Sequence, residues 1–125
     1  MRIATEEATK SSELLKCGVV IAKDGKVIAC TFNSQRQDND ATAHAEIKAI
    51  RETGQKLGNK NLAGCIVYGT CEPCTMCLSA MIFAKISKLV YSQDLSDVSQ
   101  NRINISLEEL LEKSPNKIAV EKLKQ

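Results

Sequence analysis

Residues 65–91, CIVYGTCEPCTMCLSAMIFAKISKLVY, decide the fold class and contain much of the chemistry of the chain. Residues 65–69 and 88–91 are short runs of β-type residues. Between them, Pro73 predicts a helix start, because proline is favoured in the first turn of a helix. Apolar residues at helical spacing predict one buried face on this helix: Leu78, Met81, Ile82 and Ile86. A strand, a helix and a second strand in this order are typical of a layered α/β domain.

The residues at the N-terminal end add a helix and a β-hairpin. Two β-type runs, residues 17–22 and 26–32, flank Asp24-Gly25, which is a strong signal for a hairpin turn. Before the hairpin, the spacing of six residues predicts an amphipathic first helix: Ile3, Ala4, Ala8, Ser11, Leu14 and Leu15. We therefore expect one helix followed by an antiparallel pair of strands.

A polar loop, residues 33–40, leads to a second predicted helix from about residue 43 to residue 57. We expect Asp40 or Thr42 to cap its start, since such side chains accept hydrogen bonds from N–H groups of the first turn. Gly58 stands where the end of a helix favours glycine.

The signals become weaker after residue 92. Ser106 and Glu109 form a capping box that predicts a helix to about residue 113, and residues 118–120 suit a last strand. We expect residues 1–125 to form a single domain. The predicted fold is α/β, with a central mixed sheet and helices on both faces.

Composition limits the classes of protein to which the chain can belong. Its 125 residues are 43% hydrophobic, which suffices for one aliphatic core. The net charge of +2 neither demands nor excludes a nucleic-acid partner. No apolar run reaches the roughly 18 residues of a membrane span, and the acidic N-terminal residues do not resemble a signal peptide. We therefore expect a soluble, cytoplasmic protein with no membrane partner.

The six cysteines fall into two groups. Three lie singly in apolar stretches and are expected to be buried thiols, since free cysteine behaves as a small hydrophobic residue: Cys17, Cys30 and Cys65. The other three lie within seven residues, at a spacing that suits a metal: Cys71, Cys74 and Cys77.

Cys74 and Cys77 are three positions apart on the predicted helix, so they share one face at roughly 5–6 Å between Cβ atoms. Two thiolates placed in this way can bind one tetrahedral Zn²⁺. His44 is the only histidine, and therefore the only imidazole available as a third ligand. Three protein ligands leave a fourth position for water, which is the arrangement of a catalytic zinc site. Both segments lie at predicted helix starts, whose positive ends favour bound anions.

Glu46 lies two residues after His44, about 200° around the helix. This offset suits a carboxylate that moves protons beside the metal better than a further ligand. Three alternatives remain for the cysteines: a redox C-x-x-C pair, an iron–sulfur cluster, and a closed structural zinc site with Cys71 as the fourth ligand. We expect Cys71 to pack near the site without binding the metal.

Two segments together resemble the cytidine deaminase-like superfamily of zinc-dependent nucleobase and nucleoside deaminases: Asp40-Ala41-Thr42-Ala43-His44-Ala45-Glu46 and Cys71-Glu72-Pro73-Cys74-Thr75-Met76-Cys77-Leu78. The similarity runs from about residue 18 to residue 91, and within the superfamily it points to the branch of bacterial guanine deaminases and tRNA-specific adenosine deaminases. Ala41 and Thr75 stand where the family usually has proline, which leaves the metal ligands untouched. The resemblance implies a three-layer α/β/α fold with a five-stranded sheet, one Zn²⁺ per subunit, and a homodimer.

The resemblance also implies roles for single residues. Glu46 matches the catalytic proton shuttle of a hydrolytic deaminase, and three residues match the zinc ligands: His44, Cys74 and Cys77. Asn33 matches a loop asparagine that contacts the substrate, and Ala45 is placed with it among the substrate-binding residues.

The substrate is expected to be a small nucleobase or nucleoside. Residues 56–78 look more like the guanine deaminases, and Asp97 aligns with an aspartate with which those enzymes read the purine. A carboxylate can accept hydrogen bonds from two adjacent donors of guanine, and Asp94 is a nearby alternative for this role. We therefore expect guanine first, with xanthine as product, then adenosine in tRNA, and cytosine or another nucleoside after these. The alternative from another class, ranked last, is a non-enzymatic binding module that zinc stabilises.

Overall fold

The computed structural model describes residues 1–94 and 103–124 of the chain. Within these ranges the chain forms helices and strands in the order α1 (Arg2–Ala8), β1 (Gly18–Lys23), β2 (Lys26–Phe32), α2 (Gln35–Asp38), α3 (Ala45–Leu57), β3 (Cys65–Cys71), α4 (Thr75–Ala84), β4 (Lys88–Gln93), α5 (Leu107–Glu112) and β5 (Ala119–Lys122).

The five strands form one mixed sheet in the order β2-β1-β3-β4-β5. β1 is antiparallel to both of its neighbours, and β3, β4 and β5 run parallel to one another. The β1–β2 hairpin turns at Asp24 and Gly25, which have φ angles of 51° and 78°. Positive φ at both positions is what the tight hairpin turn requires. The expected mixed sheet and its first hairpin are therefore confirmed.

Helices cover both faces of the sheet. Consecutive residues of β1 are buried, which requires cover on both sides because strand side chains alternate between faces. On one face, α3 and α4 pack against the sheet through a shared apolar cluster that includes Val19, Ile21, Ala49, Leu78, Met81 and Leu89. On the opposite face, the backbone of α1 lies against Gly18. The expected layered α/β arrangement is confirmed.

The first helix is shorter than predicted, because it ends at Ala8 and not near Leu15. The next three N–H groups donate to carbonyls three residues back, which closes the helix. The hydroxyl of Ser11 then donates to the carbonyl of Asn33 at 2.9 Å. Leu14, expected on the apolar face, lies outside the helix and is 99% exposed.

The predicted starts of α3 and α4 are also corrected. His44 is the N-cap of α3, and Asp40 instead accepts hydrogen bonds from the N–H and hydroxyl of Thr42 in the preceding loop. Cys74 is the N-cap of α4, so Pro73 precedes the helix and does not lie in its first turn. Two of the three metal-ligand candidates thus occupy the N-cap position of a helix.

Smaller differences concern loops and burial. The polar segment 33–40 contains the short helix α2, and Ile86 is buried although it lies after α4. Cys65 is buried as expected, whereas Cys17 and Cys30 are half-buried, because they lie at a sheet end and on an edge strand. The predicted cap of α5 is confirmed by Ser106, which accepts a hydrogen bond from the N–H of Glu109.

The helices of the described residues are short, and the longest, α3, has 13 residues. None of those in residues 1–94 and 103–124 has both the length and the apolar composition to span a membrane.

Candidate metal centre

The candidate centre lies where the N-terminal ends of α3 and α4 meet. His44 and Cys74 are the N-caps of these helices, and both have extended backbone angles. Neither side chain caps its own helix. Each points instead toward the other helix, where Cys77 in the first turn of α4 completes the cluster.

The spacing of the three ligand atoms fits a tetrahedral zinc ion. His44 Nδ1 lies 3.7 Å from Cys74 Sγ and 3.5 Å from Cys77 Sγ. All three ligand atoms lie within 4.8 Å of one another. Zinc bonds of about 2.0–2.1 Å to nitrogen and 2.3 Å to sulfur place these atoms about 3.6 Å apart in a tetrahedron. Two sulfurs and one imidazole nitrogen are also the donors that zinc prefers.

The pKa values of these three side chains depend on one another, and one of the three is acidic enough to bind a cation as a thiolate. Hydrogen bonds from Cys77 and then from His44 lower the pKa of Cys74 to about 4. The hydrogen bond with Cys74 and burial raise the pKa of Cys77, and the hydrogen bond with Cys74 raises that of His44. Zinc binds thiolate and neutral imidazole, so a bound ion displaces the protons that these groups share.

Glu46 lies in the first turn of α3 and is buried, with only 6% of its surface exposed. Burial raises the pKa of its carboxyl to about 7. The neighbouring Cys77 thiol acts in the opposite direction and lowers the pKa of this carboxyl. Near neutral pH, a carboxyl in this environment can both accept and return a proton.

Asn33 follows β2 and is buried on the same side of the molecule as the loop before β1. Its side-chain oxygen accepts from the N–H of Cys17 at 2.9 Å, and its amide nitrogen donates to the carbonyl of Leu15 at 2.6 Å. A side-chain amide has two donor hydrogens and two acceptor positions. One of each remains after these two contacts, so the side chain is held rigidly and keeps hydrogen-bonding capacity.

The other expected substrate contacts lie in different surroundings. Ala45 is completely buried, and its carbonyl accepts from the hydroxyl of Thr31 at 2.6 Å. Asp94, at the end of β4, forms an ion pair with Lys122 of β5 at 2.6 Å. Asp97 lies outside the described residues.

Two features near the centre were not predicted. The Glu13 carboxylate accepts from the N–H of Arg36, which holds the loop before β1 against α2. Its negative charge also helps to raise the pKa of His44. In addition, Cys17 and Cys71 lie with their sulfur atoms 2.8 Å apart. No local sequence signal pointed toward this second contact, because it depends on the pairing of β1 with β3.

Comparison with known proteins gives the family. Residues 1–93 match the family described as the cytidine and deoxycytidylate deaminase zinc-binding region. The chain is 45% identical over 93 residues to the tRNA-specific adenosine deaminase of Agrobacterium fabrum, covering 73% of this chain and 61% of that protein. It is 43% identical over 83 residues to the guanine deaminase of Bacillus subtilis, covering 66% of this chain and 53% of that protein. The chain thus spans less than two thirds of the length of either relative.

A solved structure extends the similarity to the C-terminal residues. It comes from a study of A-to-I editing by tRNA:A34 deaminases at the wobble position of transfer RNA. It matches with a TM-score of 0.84 and 34% identity, and the match covers 98% of this chain and 95% of that one.

Proposed function

Because the chain belongs to the cytidine and deoxycytidylate deaminase family, we propose that it is a zinc-dependent hydrolase that converts adenosine in transfer RNA to inosine and releases ammonia. One observation carries the choice of substrate. The similarity to the tRNA:A34 deaminase structure covers 98% of the chain, whereas the similarity to the guanine deaminase covers 66%. The guanine preference expected from residues 56–78 therefore becomes the second candidate.

Three side chains would hold the metal: His44, Cys74 and Cys77. When bound to three protein ligands, zinc supplies Lewis acidity and an open fourth position, which is how such sites activate water. The N-terminal ends of α3 and α4 meet at these ligands, so their positive ends would stabilise negative charge at the site.

Glu46 would transfer the protons of the reaction. Its carboxyl is buried beside Cys77, and burial raises its pKa to about 7. It would take a proton from the attacking water and return protons to the ring nitrogen and the departing amino group. Water adds its oxygen to the amino-bearing carbon and ammonia leaves, so adenosine and water give inosine and ammonia.

Asn33 would orient the base or ribose. Its hydrogen bonds to Cys17 and Leu15 fix the side chain before substrate arrives. Its remaining donor and acceptor then meet the substrate without loss of side-chain freedom. Ala45 lies between the metal ligand and the proton shuttle in the sequence and is completely buried, so it would support the wall of the pocket from beneath.

The test is an assay of the purified, zinc-loaded protein against a panel of substrates: tRNA carrying a wobble adenosine, guanine, adenine, cytosine and the free nucleosides. We expect ammonia release and inosine formation with the tRNA that carries a wobble adenosine, and with no other substrate of the panel. A matched tRNA with guanosine at the wobble position is the control. Ammonia release with guanine and none with tRNA would reverse the two candidates, and ammonia with none of the substrates would contradict the activity itself.

The second candidate, guanine, is favoured by the 43% identity to the guanine deaminase. Under that candidate, Asp97 would accept hydrogen bonds from the two adjacent donors of the base. Asp97→Asn would then lower guanine turnover by at least about tenfold, because an unpaired buried contact costs about 1–3 kcal/mol. Zinc content, measured in parallel, would stay unchanged.

We also propose that the chain forms a single deaminase domain and assembles as a homodimer. The described strands all belong to one sheet, which supports one domain. A domain of 125 residues that must also form the wall of a pocket can bury only a limited part of its surface internally. A second subunit would bury more of it. Analytical ultracentrifugation tests the dimer, and sedimentation only as a 13.7 kDa species would contradict it.

A further inference from the structure

Cys17 and Cys71 form a pair of thiols that the metal centre does not use. Their sulfur atoms lie 2.8 Å apart, with the Cys17 thiol donating to Cys71. The three ligand candidates form a separate cluster. Cys30 and Cys65, the other two cysteines outside that cluster, are placed elsewhere on the sheet.

The backbone brings this pair together. In the antiparallel pairing of β1 with β3, Val19 lies opposite Gly69. Continuing the register by two residues places Cys17 opposite Cys71. At the intermediate position, the N–H of Gly18 donates to the hydroxyl of Thr70. Directly opposed residues of antiparallel strands have Cα atoms about 4.5–5.5 Å apart, which is within the 4.4–6.8 Å that a disulfide needs.

The two thiols differ in accessibility and acidity. Cys17 is half-buried and is the more exposed of the two, whereas Cys71 is 4% exposed. The hydrogen bond from Cys17 lowers the pKa of Cys71 and raises that of Cys17. Burial raises the pKa of both Cys30 and Cys65. Since the thiolate is the nucleophile, we expect Cys71 to be a better nucleophile than Cys30 or Cys65.

We propose that Cys17 and Cys71 are a redox modification site, at which a hydroperoxide oxidises the two thiols to a disulfide that joins β1 to β3 beside the metal centre. The Cys71 sulfur attacks the peroxide, the O–O bond breaks, and sulfenic acid and water form. The Cys17 sulfur then displaces the second oxygen as water and forms the S–S bond. Two thiols and one hydrogen peroxide thus give one disulfide and two water molecules.

A disulfide at this position would link two segments that are next to the metal centre. This modification is separate from the proposed deamination. The N–H of Cys17 holds the side-chain oxygen of Asn33, and Cys71 lies three residues before Cys74. A bond between Cys17 and Cys71 therefore connects the segment that holds Asn33 to the segment that carries the metal ligands. A dithiol reductant reverses it by thiol–disulfide exchange.

Peptide mapping without reduction tests the proposal on the zinc-loaded protein exposed to hydrogen peroxide. Trypsin cleavage after Lys16 and Lys23 releases residues 17–23, whose only cysteine is Cys17. Cys71 lies in residues 61–85, and fragmentation of that peptide identifies the linked cysteine. We expect residues 17–23 linked to Cys71, with zinc content unchanged and the linkage lost on reduction.

Cys30 is the internal control, because it is also half-buried and falls in its own tryptic peptide, residues 27–36. The pair should oxidise at least about tenfold faster than Cys30, because its two sulfur atoms are already in contact and the pKa of Cys71 is lowered whereas that of Cys30 is raised. Cys17→Ala and Cys71→Ala should each abolish the linkage, and Cys30→Ala should not. Circular dichroism checks that each variant is folded. If only one of Cys17→Ala and Cys71→Ala folds, that variant is sufficient for the test.

Three results would overturn the proposal. The first is a wild-type protein in which Cys17 stays reduced while Cys30 is oxidised. The second is a linkage between Cys74 and Cys77 with loss of zinc. The third is a Cys17→Ala protein that still gains a disulfide at the wild-type rate.

Discussion

At the scale of single residues, the environment of Glu46 separates a proton carrier from a metal ligand. The carboxyl is buried beside Cys77, whereas the ligand atoms form their own cluster. Glu46→Gln keeps the size of the side chain and removes its ability to take a proton. We expect stoichiometric zinc and a fall in deamination of about 10²–10⁴-fold. Zinc analysis and an ammonia assay measure the two effects, and full activity in the variant would rule out this role.

Thr53, in the middle of α3, offers a second prediction at this scale. It is completely buried, and its hydroxyl has no hydrogen-bond partner among the described residues. Because an unpaired buried hydroxyl costs about 1–3 kcal/mol, Thr53→Val should raise the free energy of unfolding by about 1 kcal/mol. Denaturant titration measures the change.

Thr31 supplies the matched control for Thr53. Its hydroxyl donates to the carbonyl of Ala45 at 2.6 Å, so Thr31→Val should lower the free energy of unfolding by about 1–3 kcal/mol. A destabilising Thr53→Val would mean that the Thr53 hydroxyl has a partner in solution.

The metal ligands could be predicted from single residues, and their neighbours could not. A sole histidine and two cysteines three apart are a chemical requirement that is visible in the sequence. The Cys17–Cys71 contact depends instead on strand register across 54 positions. A slip of one residue in that register would place the two side chains on opposite faces of the sheet.

At the scale of elements, the packing of α1 on β1 depends on a glycine. A Cβ atom at Gly18 would collide with the carbonyl oxygen of Ala4 and would lie 2.6 Å from the backbone nitrogen of Ala8. Both are backbone atoms, so no side-chain movement relieves the contact. Gly18→Ala should therefore lower the free energy of unfolding by at least about 1–3 kcal/mol, measured by thermal or denaturant unfolding.

Gly54 is the matched control for Gly18. It lies within α3, and its added Cβ would meet only the carbonyl of Asn59, at 3.6 Å. Gly54→Ala should leave stability unchanged or raise it by up to about 1 kcal/mol, because alanine favours the helix. Equal effects of the two substitutions would contradict the close packing of α1.

Element type was more predictable than element length. The hairpin, the two ligand-bearing helices, α5 and the last strand follow from local signals, such as Asp24-Gly25 for the hairpin and the Ser106 cap for α5. The end of α1 follows from a distant group, because Ser11 hydrogen-bonds to the carbonyl of Asn33, 22 residues away. The start of α3 differs from the prediction because the side chain of Asp40 accepts a hydrogen bond within a local turn from Thr42. His44 is therefore the N-cap of α3.

At the scale of the whole molecule, the metal joins two helices that are distant in sequence. Zinc on His44, Cys74 and Cys77 would tie the N-terminal ends of α3 and α4 together. A strong chelator should therefore lower the melting temperature, and the free energy lost is about 2.7 kcal/mol where free zinc had been 100 times its dissociation constant. Calorimetry with and without chelator measures the shift.

His44→Ala is the control for this prediction. The variant should melt at a lower temperature than the wild type, and chelator should change its melting temperature by much less. A chelator effect equal to that on the wild type would show that the stabilising metal binds somewhere else.

The edge position of β5 determines which part of the sheet opens first. All four of its residues are exposed, and among the described residues it pairs with β4 alone, whereas β1 is buried between two neighbours. Backbone amides exchange with deuterium through openings, and an opening that uncovers little apolar surface requires little free energy. Amides of β5 should exchange at least about tenfold faster than those of β1, as measured by mass spectrometry. Detachment of β5 would uncover the hydrogen-bonding edge of β4 beside Tyr91, so such an opening would present an unpaired strand to solvent while the metal centre stays folded.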